Sequence, residues 1–196
     1  MEKVIIFSPH LDDDAIGCGG ILQKLKKYYV QVVFFTRDQR AKNLDKVYRD
    51  FDNVDFKWFG EKNYVDISKD DIVKMAELIS EGSSIVFLPY EHDKHPDHRE
   101  VSLAVQEAIQ YTKHLFYFKN PDISALQYEV WTPLLTPNFY TEIDSFLEQK
   151  RYMINAYFDG LKNDFDWVDM IFALNKYRAY SETNSKYNYV EAFYEL

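Results

Sequence analysis

The sequence predicts an α/β protein: a Rossmann-like, doubly wound, mainly parallel sheet with helices on both faces and a metal site at the carboxyl ends of its first and fourth strands. Three observations carry this expectation. Strand-like apolar runs alternate with segments of helical period through the first half of the chain, the pattern of a helix-covered parallel sheet. The first run, Val4-Ile5-Ile6-Phe7, is apolar without interruption, as a strand buried on both faces must be. Two polar clusters, residues 10–14 and 92–98, follow directly on the first and fourth runs.

The elements follow in order. After Val4 to Phe7, the residues Ile16, Ile21, Leu22 and Leu25 fall at helical spacing. Gln31 to Thr36 reads as the second strand, Leu44 to Phe51 as helical and Val54 to Phe59 as the third strand. Asp70 to Ser80 repeats apolar residues at Ile72, Val73, Ala76 and Ile79 and stops at Gly82, a residue suited to a helix terminus. It leads into Ser84 to Leu88, the fourth strand. Pro96 suits the first position of a helix whose apolar residues are Val101, Leu103, Val105, Ala108 and Ile109. Alternation of this kind implies right-handed crossovers. Further on, Leu115 to Phe118, Gln127 to Trp131 and Phe139 to Ile143 are candidate strands, set apart by Pro121, Pro133 and Pro137, and Ser145 to Tyr157 and Trp167 to Tyr180 are candidate helices. The closing YNYVEAFYEL reads as a polar, tyrosine-rich tail whose aromatic rings pack. No repeat or linker divides the chain, so its 196 residues, 46% of them hydrophobic, are expected to form a single domain, 1–196, with a sizeable core.

A formal net charge of -9 disfavours nucleic acid and anionic membranes, whose phosphates attract clustered Lys and Arg; a small-molecule substrate is expected instead. Cys18 is the only cysteine and cannot form an internal disulfide, and Val4 to Phe7 is too short for a signal-peptide core or a membrane span. The expectation is a cytoplasmic protein without membrane insertion, its oligomeric state open.

The first cluster stands in "SPHLDDDAIGCGG". Packing does not ask for three adjacent acids, because neighbouring carboxylates raise the cost of ionising one another. In the common doubly wound order, strands one and four flank the point where the winding reverses and ligands bind, so this segment would meet "EHDKHPDHR" there. Two imidazoles, one carboxylate and an open position for water match a catalytic zinc centre, and the ion would neutralise the acids. Four of the five histidines lie in the two clusters. His114 reads as a surface or hydrogen-bonded residue before a strand, and the neighbours of His92, namely Glu91, Asp93 and Lys94, as a solvated loop. Gly17, Gly19 and Gly20 lack the G-x-G-x-x-G spacing of a dinucleotide site; close packing of a helix on the sheet explains them.

These residues carry a resemblance. His10-Leu11-Asp12-Asp13-Asp14 with Gly17, Gly19 and Gly20 resembles the "AHPDDE…GG" motif of the PIG-L/LmbE family of zinc-dependent N-acetylglucosaminyl deacetylases, His95-Pro96-Asp97-His98-Arg99 is similar to its "HPDHR", and Tyr189 to Phe193 to its "YAEAF". The resemblance implies His10, Asp13 and His98 as ligands of Zn²⁺ or another divalent metal such as Fe²⁺, and Asp12 as general base. It implies His95 as the group that stabilises the oxyanion or protonates the amine, and Asp97 as the carboxylate that orients a histidine. The implied substrate is an N-acetylated amino sugar or conjugate. Leu11 replaces the family's usual proline and Asp14 its glutamate. Thr36-Arg37-Asp38-Gln39-Arg40 departs from the family's "TDG" followed by Gly-Glu; Arg37 and Arg40, at a strand's carboxyl end, are candidate substrate contacts, with Asp66 for sugar hydroxyls. Two other classes fit parts of the pattern. A His/Asp/His triad also serves non-haem Fe(II) oxygenases, although these sit on antiparallel double-stranded β-helices, and a non-catalytic sugar-binding relative could keep the fold.

Overall fold

A computed structural model describes residues 2–115, 122–161 and 167–196. Its seven strands are β1 (Lys3–Ser8), β2 (Tyr29–Phe34), β3 (Val54–Trp58), β4 (Ser83–Pro89), β5 (Ser124–Tyr128), β6 (Phe139–Glu142) and β7 (Val190–Glu195). Its helices are α1 (Asp13–Lys24), α2 (Leu44–Val47), α3 (Lys69–Ser80), α4 (Pro96–Leu115), α5 (Leu147–Tyr157) and α6 (Trp167–Thr183), with short 3₁₀ turns at Gln39–Asn43 and Asp144–Phe146. One sheet runs in the order β3-β2-β1-β4-β5-β7-β6. The pairs from β3 through β5 are parallel, and β7 joins antiparallel to both β5 and β6. The doubly wound, mainly parallel sheet expected from the sequence is present, with β1 beside β4.

The period of two along β1 divides its side chains between two cores. Val4 and Ile6 join Leu22, Met153, Ile154, Tyr157 and Phe172 on the face covered by α1, α5 and α6. Ile5 and Phe7 join Met75, Ile79, Val101 and Val105 on the face covered by α3 and α4. All four β1 side chains have no exposed surface, and at about 1.5–3 kcal/mol each their burial rivals the whole net stability of an ordinary domain. On this anchor the loop after β1 is held rigidly enough to present chemistry. Helix α3 starts at a reciprocal cap in which Ser68 Oγ accepts from the Asp71 N–H at 3.2 Å while Asp71 Oδ2 accepts from the Ser68 N–H at 3.0 Å. It ends just before Gly82, whose φ of 103° an L side chain rarely adopts.

Several elements differ from expectation. The stretch Leu44 to Phe51 supplies only the four residues of α2, because the preceding 3₁₀ turn begins at Gln39, where Asp38 Oδ1 accepts from the Arg40 N–H. The fifth strand begins at Ser124 and ends at Tyr128 instead of running from Gln127 to Trp131. Trp131 is thereby freed for the loop beyond the sheet. Leu115 closes α4, and the remainder of the strand expected at Leu115 to Phe118 lies outside the described residues; His114 is an exposed residue of that helix. The tail is no appendage. Residues 190–195 form β7, inserted between β5 and β6, with Val190, Glu191, Ala192 and Phe193 buried. No described helix is long and apolar enough to cross a membrane.

Candidate metal centre

The two clusters meet at the carboxyl ends of β1 and β4, and each acid of the first finds a different partner. His10 leaves β1 through a turn in which Asp13 Oδ2 accepts from its backbone N–H at 2.8 Å. Asp12 then adopts φ 150°, ψ -24°, a sparsely populated conformation that costs on the order of 1–3 kcal/mol and is held by the bonds on either side: its N–H donates to His10 O, and its carbonyl accepts the first bond of α1 from Ile16. Leu11 is fully buried, so core packing fixes the loop at this residue.

Asp13 Oδ2 lies 3.1 Å from His10 Nδ1 and 3.2 Å from His98 Nε2, and those two nitrogens are 3.2 Å apart. This near-equilateral triangle fits a metal. Donors held tetrahedrally at the 2.0–2.1 Å bond lengths of zinc stand about 3.3 Å from one another. The carboxylate also supplies charge that a dication needs. The imidazoles of His10, His95 and His98 gather as well, their ring nitrogens within 4.8 Å of one another. That triplet is looser and has no anionic donor, and His95 Nδ1 already accepts from the Asp97 N–H at 3.2 Å.

Carboxylates orient the imidazoles from behind. Asp97 Oδ2 sits 3.0 Å from His10 Nε2, directing Nδ1 inward. Asp93 Oδ1 is 3.5 Å from His98 Nδ1 and accepts from the His95 N–H at 2.8 Å, while its Oδ2 accepts from the N–H groups of Trp131 and Thr132 at 3.1 and 3.0 Å. Asp93 has no exposed surface, so the solvated loop expected around His92 is corrected at this residue; His92 itself is exposed. Such outer partners fix tautomer and ring orientation. His95 stacks on His98 with centroids 4.8 Å apart and meets His10 edge-on at 4.8 Å.

The electrostatics follow from this wiring. Burial resists ionisation of Asp13, yet the His98 and His10 imidazoles hold its carboxyl well below the usual carboxylate range. Burial lowers His98, but Asp13 and Asp93 outweigh it and push it up to about 10. Burial and the Asp13 charge push Asp12 up to about 8, against the pull of Arg40 and His10. Burial, with His98 and His10 nearby, lowers His95. Asp14 stands apart. Fully buried, it accepts from the hydroxyls of Tyr48, Tyr157 and Ser8, and burial raises it to about 6 even though Tyr48 and Tyr157 donate to it.

The cleft over these groups, about 250 Å³, is lined by His10, Asp12, Asp13, Arg40, His95 and Trp131. Arg40 is anchored by Asp38 at 2.7–3.1 Å and donates to Asp12 Oδ2 at 2.6 Å. The other two residues singled out for substrate are engaged elsewhere: Arg37 pairs with Glu61 at 2.9 Å over the Trp58 ring, and exposed Asp66 pairs with Lys62 at 2.7 Å. Sequence reasoning missed Trp131 and Asp93. The proximity of Asp93 to HPDH was the available signal for the second; nothing marked the first.

Helix α1 reaches the sheet because Gly17 has no side chain: a Cβ there would stand 2.2 Å from Tyr128 Cδ2. At its middle, Glu191 of β7 accepts from the N–H groups of Gly20 and Ile21 at 2.7 and 2.8 Å and pairs with buried Lys150 at 2.7 Å.

The family model described as PIG-L, GlcNAc-PI de-N-acetylase, matches residues 5–109, just over half of the chain and both polar clusters. Among solved structures, the N,N'-diacetylchitobiose deacetylase of Pyrococcus horikoshii superposes with a TM-score of 0.81 at 19% identity, covering 100% of this chain and 84% of that one. GalB, the 4-carboxy-2-hydroxymuconate hydratase of Pseudomonas putida KT2440, gives 0.83 at 16%, covering 100% and 96%. The zinc-inhibited form of the teicoplanin deacetylase Orf2 gives 0.57 at 14%, covering 98% and 97%. At these identities the likeness is one of fold.

Proposed function

Because the chain belongs to the PIG-L family of GlcNAc-PI de-N-acetylases, we propose that it is a metal-dependent hydrolase that removes the N-acetyl group from an amino sugar or its conjugate. The observation that carries this reading is the triangle of His10 Nδ1, Asp13 Oδ2 and His98 Nε2 with edges of 3.1–3.2 Å, roofed by an acid that is no part of it, Asp12. Those three residues would hold Zn²⁺ or another divalent ion such as Fe²⁺. When bound, the ion would polarise the amide carbonyl and bring the pKa of a water towards 7.

The chain's own residues divide the remaining work. Asp12 faces the cleft with one carboxylate oxygen bonded to Arg40; a dication held beside it would favour its ionised form, in which it takes the proton of the attacking water. Arg40 keeps that carboxylate in place and presents its remaining donors to the substrate. His95, on the same cleft wall, protonates the departing nitrogen, a contribution typically worth about 10² to 10⁴ in rate. Asp97 holds His10, and Asp93 holds the backbone of His95 with its charge 3.5 Å from His98 Nδ1. Trp131 offers the apolar face of a pyranose a flat surface. Arg37 and Asp66, paired away from the cleft, would reach only an extended substrate.

The hydratase among the similar structures is a reason to test the reaction as well as the site, since a protein of the same fold bears the name of a hydratase and not of a deacetylase. The parallel sheet is not the antiparallel scaffold of the iron oxygenases. The test is acetate release from a panel of N-acetylated sugars with metal-loaded protein. Turnover is expected to vanish on chelation and with Asp12→Asn, which keeps the metal, whereas His10→Ala and His98→Ala lose metal and turnover together. Full turnover by Asp12→Asn would refute the assigned base, and silence across the panel with hydration of an enoic acid would replace the reading.

A further inference from the structure

A second cavity adjoins the cleft and has no role in the chemistry above. About 150 Å³ in volume, it opens between α1, the segment after β5, α6 and β7, and its walls include Ile16, Val130, Pro133, Met170, Ile171 and Leu174. Trp131 lines both this cavity and the catalytic cleft, with its ring edge-on to Trp167 at 4.7 Å. Resting on the reading of the site as an amino-sugar deacetylase, we propose that the cavity is a subsite for one ring-sized apolar group carried by the sugar, so that the preferred substrate is an amphipathic amino sugar.

The lining argues for an uncharged occupant. Three polar residues reach the cavity, and each is already engaged. Glu129 accepts from Arg178 and from the Leu134 N–H. Asn175 donates to Val190 O and accepts from Lys150, and Glu191 takes Lys150 and two backbone N–H groups. What remains for a ligand is aliphatic and aromatic surface. The volume sets the size: an apolar cavity of roughly 150 Å³ takes up benzene and stays dry without it, so a phenyl ring or short branched alkyl group fits and a long lipid chain does not. The group could hang from the anomeric carbon or from the acyl carbonyl; its chemistry is the same, and the assay separates the two.

The experiment compares methyl and phenyl β-glycosides of N-acetylglucosamine, and N-acetyl- with N-benzoylglucosamine, in metal-loaded protein. Binding is read by calorimetry alongside kcat/KM. One aromatic member is expected to exceed its small counterpart at least roughly tenfold, in the glycoside pair for an anomeric substituent and in the acyl pair for the other. Leu174→Phe, which fills the cavity from α6 and alters no residue that lines the cleft, should abolish that advantage while leaving the small substrates unchanged. Met170→Phe serves the same purpose if the first variant fails to fold. Equal binding and equal kcat/KM within both pairs, or an aromatic preference that survives both fillings, would overturn the inference. An aromatic preference in binding with no release of acetate or benzoate from any compound would sustain the cavity and refute the deacetylase reading.

Discussion

Replacing Asp93 by asparagine changes one oxygen into an amide nitrogen at the point where three backbone N–H groups and the His98 imidazole converge. Asp93 accepts from Trp131 and Thr132 through Oδ2 and from His95 through Oδ1, which also faces His98 Nδ1. Asparagine has a single acceptor. With its oxygen towards Trp131 and Thr132, its NH₂ meets the His95 N–H donor to donor; turned round, it meets two donors. The better orientation strands one buried N–H and removes charge from two other bonds, a loss of about 2–4 kcal/mol. At a urea slope of about 2 kcal/mol/M, the unfolding midpoint should fall by roughly 1–2 M. The amide would also donate to His98 Nδ1 and drive that ring's proton onto Nε2, the atom that faces Asp13, so metal affinity should weaken by about 10- to 100-fold. The pH dependence has a definite sign. Burial raises the Asp93 carboxyl, but the His98 side chain and the His95 and Thr132 N–H groups hold it below the usual value. Its contribution is therefore complete above the unfolded pKa near 4 and is lost as the pH falls through the lower folded value. The difference in stability between wild type and Asp93→Asn should be full at neutral pH and shrink below about pH 4. Equal midpoints and equal metal affinity at pH 7 would refute the account of this residue.

Three further outcomes test the frame around the site. Lys150→Met leaves Glu191 charged and buried without its cation and should cost about 3–5 kcal/mol in urea unfolding, part of it restored by adding Glu191→Gln; a loss under about 1 kcal/mol would mean that the pair is not formed. Gly17→Ala drives a methyl into Tyr128 and should lower stability by about 1–3 kcal/mol, seen as a fall in melting temperature of roughly 2–4 °C per kcal/mol, whereas an unchanged melt would show that α1 stands off the sheet. Ser68→Ala removes one half of the reciprocal cap of α3 and should cost about 1 kcal/mol without affecting metal binding or turnover.

What could be read from the residues, and what could not, follows a physical line. β1, β2 and β4 announce themselves because a strand covered on both faces is apolar along most of its length, β3 because an edge strand with one exposed face alternates, as Val54, Phe56 and Trp58 do with Asp55 and Lys57, and the two clusters stand out because a charged residue directly after a buried strand has no packing reason to be there. β7 was unreadable for the opposite reason. Its buried Glu191 makes the segment look like a polar tail, and the group that makes burial tolerable, Lys150, lies 41 residues away on α5. Asp93 misled in the same way: a carboxylate with three backbone donors and an imidazole partner is written like one in water. The expected strand around Gln127 to Trp131 slid to Ser124–Tyr128 because apolar content continues past Tyr128 into Val130 and Trp131, which serve the loop. Arg40 and Arg37, equivalent on paper, part company because Asp38 turns the first towards Asp12 while Glu61 and Trp58 keep the second at the surface.

The grip of Glu191 on the backbone of α1 spans 171 positions of sequence. On a ribosome adding roughly 5–20 residues per second, the helix that starts at Asp13 waits on the order of 10–30 s for the carboxylate that clamps it. Until Glu191 has emerged, the N–H groups of Gly20 and Ile21 lack that carboxylate, so the helix that follows the first polar cluster is completed by a contact made long after its own residues are synthesised.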